Sequence, residues 1–161
     1  MSKSKEQKKL KADIVKAVHK ALRAFGVRFD FIKSVDAFSF MLEGADLDTK
    51  CLVWVDSCDL NIVSTYEECV KEGCKSDLCQ AVNDTNYHLS YGNFVFDESD
   101  KMVKHIYCYP YLNKKLSKND VVTLLDSVLN PVKAMSDSFK EFLDGGRDEG
   151  HDDTDDEELG L

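Results

Sequence analysis

The run Cys51-Leu52-Val53-Trp54-Val55-Asp56 carries apolar side chains at both odd and even positions. Successive side chains of a strand point to opposite faces of its sheet, so apolar residues on both parities call for cover on both sides. The run predicts a central strand, and it restricts the chain to folds that pack something against each face of it.

The neighbouring segments show what could do the covering. Leu10, Ile14, Val15, Val18, Leu22 and Phe25 recur at helical spacing and stop at Gly26, which predicts an amphipathic first helix. The period then changes to two. Val27, Phe29 and Phe31 form one strand, and Phe38, Phe40 and Leu42 form a second after a Ser34-Val35-Asp36 corner. Leu60 and Ile62 alternate with polar residues through Thr65, giving a fourth strand beyond the central one. From Tyr66 to Lys75 the pattern is weak. Ser76 is expected to cap a middle helix carrying Leu78 and Val82, because its hydroxyl can accept a first-turn amide hydrogen. Asn93 to Asp97 and Met102 to Tyr111 flank an acidic turn and read as a second hairpin, with Val103, His105, Tyr107 and Tyr109 on one face.

Ser117-Lys118-Asn119-Asp120 has the form of a capping box, with aspartate in place of the usual glutamate. After it, Val121, Leu124, Leu125, Val128, Val132, Met135, Phe139 and Phe142 line one helical face. Pro131 is expected to kink this helix or split it in two, since it removes a ladder hydrogen bond. The order is helix, four strands, helix, two strands, helix. That predicts a single α+β domain with an antiparallel sheet packed by helices over residues 8–143.

Charge is distributed unevenly. Of the formal net charge of -9, residues 144–161 contribute -8, and residues 1–12 carry five lysines against Glu6. Runs of like charge stay solvated, so residues 1–7 read as a basic flexible arm and 144–161 as an acidic disordered tail. An acidic body lacks the clustered basic surface that phosphate backbones require, and nucleic acid is not expected as a partner. No stretch approaches the roughly 20 apolar residues of a membrane span, and the basic start leads into an amphipathic segment, not a signal-peptide core. The expected compartment is the cytoplasm, where the six cysteines would remain reduced.

Nothing in the sequence assembles a catalytic or ligand-binding set. The cysteines follow C-x6-C-x10-C-x4-C-x4-C-x28-C, without the C-x2-C pair of structural zinc sites. His105 and Cys108 stand three apart on a strand and so face opposite ways, which excludes a dyad between them. His19 and His88 read as surface or boundary histidines, and phosphate-cradling glycine loops are absent. His151 and the acids from Asp152 to Glu158 read as solvated tail, lacking turns to aim oxygen ligands inward. No catalytic, cofactor or metal residue is therefore assigned. Tyr107, Tyr109 and Tyr111, with no basic strip between them, suggest core or protein interface more than a base-stacking platform.

Three segments carry a resemblance. Ala81-Val82-Asn83-Asp84-Thr85-Asn86 is similar to an asparagine-bearing middle helix, Gly92-Asn93-Phe94-Val95-Phe96-Asp97 to the strand and acidic turn that follow it, and Ser117-Lys118-Asn119-Asp120 to the start of a final helix. In this order they resemble the bacterial YbjN-like family of sensory transduction regulators, with the type III secretion chaperone-like fold. The resemblance implies a small, non-catalytic, dimeric protein that binds another protein, as secretion chaperones bind extended segments of their clients.

The resulting expectation is a homodimeric protein-binding module, with Trp54, Tyr107 and Tyr109 as interface candidates. It would act through a sheet face, a strand edge or a groove by the last helix, since an edge can take up an extended peptide as an added strand. The alternative is a small-molecule sensor or enzyme with a site built from distant residues, for example Asp97, His105 and Cys108. Three helices can cover one face of the sheet or both. If they cover one, a second subunit or a client segment must cover the other.

Overall fold

The structure is a computed structural model that describes residues 3–44 and 47–144. It contains α1 (Lys3–Phe25), β1 (Phe29–Ile32), β2 (Ala37–Leu42), β3 (Thr49–Val55), β4 (Asp59–Cys69), α2 (Lys75–His88), β5 (Asn93–Asp97), β6 (Met102–Pro110) and α3 (Lys118–Lys140). The fold is α+β, with the element order that the periodicities predict. All neighbouring strands are antiparallel, in the order β1-β2-β3-β4-β6-β5. The strand apolar on both parities, β3, lies inside the sheet between β2 and β4.

Four local expectations are corrected. The basic arm of residues 1–7 is helical from Lys3 onward, and Gln7 ties that end down by donating Nε2–H to the Ser57 carbonyl at 3.0 Å. The weak stretch after Tyr66 begins as strand, because β4 continues to Cys69 across a register shift between Thr65 and Cys69. Ser76 does not cap α2. Gly73, at φ +84°, turns the chain early enough for the helix to start at Lys75, with Cys74 at the cap position and no side-chain cap. Pro131 does not divide α3, which runs unbroken through it. Its apolar face is buried on both sides of the proline, by Val128 and Leu129 before it and by Val132 and Phe139 after it. The buried Tyr66 hydroxyl also donates to the Val132 carbonyl at 2.6 Å. The capping box forms as expected: Ser117 Oγ accepts from Asp120 N–H, and the Asp120 carboxylate accepts from Ser117 N–H. Apart from Asp144, whose N–H donates to Cys69 O, the acidic tail lies outside the described residues.

All three helices lie on one side of the sheet. Ile14, Val18 and Leu22 of α1 and Val121, Leu125 and Val128 of α3 pack on Phe38, Phe40, Cys51, Val53, Leu60 and Ile62. Leu78 and Val82 of α2 join Val132 and Phe139 of α3 on Tyr66, Phe94 and Val103. α1 and α3 run in the same direction, since Gln7 sits at the β3–β4 turn that also holds Tyr111 just before α3, while Phe25 meets Lys133 near the other end. One edge strand, β1, is only four residues long. At the other, Asn86 of α2 acts as a short stretch of neighbouring strand for β5: Nδ2–H donates to Phe94 O at 2.8 Å and Oδ1 accepts from Phe94 N–H at 2.7 Å. Both devices limit the unpaired backbone that a sheet edge presents.

A candidate docking face on the open side of the sheet

With every helix on one side, the other side of the sheet is formed by the alternate residues of each strand. The burial of β4 shows this directly: Leu60, Ile62, Ser64 and Tyr66 are buried, whereas Asp59, Asn61, Val63 and Thr65 are not. The strand register arranges the open side in rows. One row runs Ile32, Ala37, Trp54, Asn61, Cys108, and the next runs Asp30, Ser39, Leu52, Val63, Ile106, Asn93. A third holds Met41, Lys50, Thr65, Lys104 and Val95.

The middle of this face is apolar. Leu52, Val63 and Ile106 are directly cross-strand neighbours, Trp54 stands beside Leu52 along β3, and Ile32, Met41 and Ile106 are each 43% exposed. Trp54 is held in place by its indole N–H, which donates to Asp56 Oδ2 at 3.2 Å; Asn61 Nδ2–H reaches the same oxygen at 3.4 Å. Charge borders the apolar rows on two sides. Asp56 and Asp59 lie at the end where β3 turns into β4, and Lys50 and Lys104 lie at the other. Lys104 is paired with Asp97 at 2.7 Å and with Asp100, which raises its pKa and holds the Asp97 carboxyl well below the usual range. Lys50 has no ion pair among the described residues.

The three interface candidates do not share a surface. Trp54 belongs to the open side. Tyr107 and Tyr109 lie on the covered side, half-buried against the core, where they line a shallow groove of about 270 Å³ with Tyr91, Leu116 and Leu124. Tyr111 is core, its hydroxyl donating to the Asp56 carbonyl. Asp97, His105 and Cys108 do not converge either. Asp97 is in an ion pair, His105 is buried under the helices, and Cys108 is exposed on the open side. Desolvation by its strand neighbours and the nearby Asp59 and Asp56 push the Cys108 thiol up, away from the thiolate that a nucleophile needs. Among the described residues, no three His, Cys, Asp or Glu side chains stand together as metal ligands, and the six cysteines are free thiols. Among them too, no helix is long and apolar enough to cross a membrane.

Most of the open face was missed from sequence. Ile32, Met41, Val63 and Ile106 sit at positions that alternation assigns to solvent, and the signal that could have found them was apolar residues on the wrong parity, as in Ile62-Val63 and His105-Ile106-Tyr107.

His105 has a structural role with a pH signature. Its Nε2–H donates to the Tyr91 carbonyl at 3.0 Å, its ring packs edge-on against Phe94, and its Nδ1 is buried without a partner. Burial lowers its pKa below the usual 6.5, although the Tyr91 bond pulls the other way. The unfolded chain takes up this proton near 6.5, before the folded chain does, so stability falls as pH drops through 6.5 and the loss is complete below the folded-state value. Urea midpoints at about pH 7.5 and about pH 5.5 should show this decline, and His105→Gln should flatten it. An equal decline in the variant would assign the effect to other groups.

No family model matches the chain, and no curated protein matches it.

Proposed function

We propose that this chain is a non-catalytic protein-binding module, a chaperone-like or regulatory adaptor that docks a protein on the open side of its sheet. The observation that carries this reading is the uncovered apolar face. Leu52, Trp54, Val63 and Ile106 form a contiguous patch on interior strands, and no element of the chain packs over it among the described residues. Contiguous exposed apolar surface rimmed by polar residues marks interaction sites. Its core-and-rim arrangement matches protein interfaces, where a buried aromatic anchor supplies much of the affinity. Trp54 suits that role because its bond to Asp56 already fixes its orientation, so little rotamer entropy is lost on binding.

Affinity capture with the tagged full chain tests the reading, with Leu52→Asp and Ile106→Asp as controls. Each variant places a carboxylate in the patch without touching the covered core, so the fold should survive, as far-UV circular dichroism would verify. The expected result is a captured protein, an untagged copy of the chain included, that is lost with both variants. Identical capture by wild type and both variants would remove the open face from the proposal.

A further inference from the structure

The residues that β3 contributes to the open face are arranged symmetrically about one point. On β3, Leu52 and Trp54 lie one residue either side of Val53, and Lys50 and Asp56 lie three residues either side. The face therefore reads, along the strand, as basic, apolar, apolar, acidic. A two-fold axis running across the strands at the level of Val53 maps this series onto its own complement. We infer that the protein docked on the open face is a second copy of this chain, packed face to face with its strands antiparallel, and this rests on the reading of that face as a docking surface.

In this arrangement Trp54 meets the second copy's Leu52, Cys108 meets the second copy's Ile106, and Asp56 meets the second copy's Lys50. Each contact occurs twice, as a two-fold interface requires. The charges suit the pairing. Lys50 is unpaired among the described residues, and Asp56 uses only Oδ2 for Trp54 and Asn61, leaving its other oxygen to accept from the incoming ammonium. The opposite arrangement, with strands parallel, would set Lys50 on Lys50 and Asp56 on Asp56. Charge thus selects the register as well as the partner.

Size is consistent with this. The four longer strands, β2, β3, β4 and β6, at about 4.8 Å spacing over the roughly 20 Å from residue 50 to 56, give roughly 400 Å² in projection, to which the shorter β1 and β5 add. Side-chain relief takes the accessible area toward the roughly 800 Å² per subunit of a standard interface. Two twisted sheets pack face to face with their strands about 30° apart, which offsets facing strands by about 5 Å at residues 50 and 56, a distance the long Lys50 side chain spans to reach the second copy's Asp56.

Charge exchange tests the inference on the full chain. Sedimentation of the wild type should show a dimer, and Lys50→Asp and Asp56→Lys should each weaken it by roughly tenfold or more, because each sets like charges opposite one another. The double variant should recover it. Mixing the two single variants should form a heterodimer that neither forms with itself as well, because positions 50 and 56 are then both acidic in one chain and both basic in the other. That outcome does not depend on how well either variant behaves alone. A wild type that stays monomeric at hundreds of micromolar overturns the inference, as does a dimer indifferent to both exchanges and to their mixing. If the monomer still captures a different protein that Leu52→Asp releases, the docking face stands and only the identity of its occupant was wrong. If it captures none, both fail.

Discussion

Gly92→Ala is expected to destabilise the protein by about 3 kcal/mol or more, through two separate costs. Gly92 has φ +74°, a left-handed conformation that costs a side-chain-bearing residue roughly 1 kcal/mol. A Cβ there would also lie 2.5 Å from the His105 ring and 2.6 Å from the Ile106 carbonyl oxygen. Neither neighbour can move freely. The His105 ring is tied to the Tyr91 carbonyl and packed on Phe94, and Ile106 is held in β6 between β4 and β5. Gly73→Ala separates the two costs, because Gly73 has φ +84° with nothing within 4 Å of the same Cβ. A melting temperature lower by roughly 10 °C for Gly92→Ala is expected at about 4 °C per kcal/mol, and a drop of a few degrees for Gly73→Ala. Equal drops would mean that the Gly92 contact relaxes at little cost.

Phe94→Ala should cost about 3–5 kcal/mol, the range for truncating a buried phenylalanine. Phe94 is the hub of the second half of the core, with its ring against Tyr66, Phe139 and His105 at centroid distances of 6.2, 5.1 and 4.9 Å. Its backbone is the segment that Asn86 pairs with, so losing the ring also loosens the join between α2 and the edge strand. The amides of β6 that β5 protects should exchange faster than those facing β4. Tyr87→Ala, next to Asn86 on α2 and 86% exposed, is the control and should be nearly neutral. A Phe94→Ala chain as stable as that control would show that the second core cluster contributes little. The effects of Gly92→Ala and Phe94→Ala share His105 as a neighbour, so the double variant should lose less than their sum.

Half of the candidate docking face is legible in the sequence. Trp54 stands out because β3 is apolar on both parities, and the need for a second cover follows from that alone. The tyrosines mislead for a physical reason. Alternation correctly puts Tyr107 and Tyr109 on one side of β6 with His105, but it says nothing about which side of β6 matches which side of β3. Ile106 and Cys108, which alternate with them, share the face with Trp54. For the same reason, His105 and Cys108 can be separated from sequence, whereas the burial of one and the exposure of the other cannot be assigned.

Periodicity, glycine stops and the Ser117–Asp120 box act over a few residues, and they suffice to specify the elements, their order and the two hairpins. They fail at the cap of α2 and at the continuity of α3 through Pro131, where Gly73 geometry and burial on both sides of the proline outweigh local preference. The placing of β6 between β4 and β5, and the choice of the same side of the sheet by α1, α2 and α3, emerge at the level of tertiary packing. Those choices depend on how side chains far apart in sequence fill a common space. Local spacing cannot encode that, and it is what leaves Leu52, Trp54, Val63 and Ile106 uncovered.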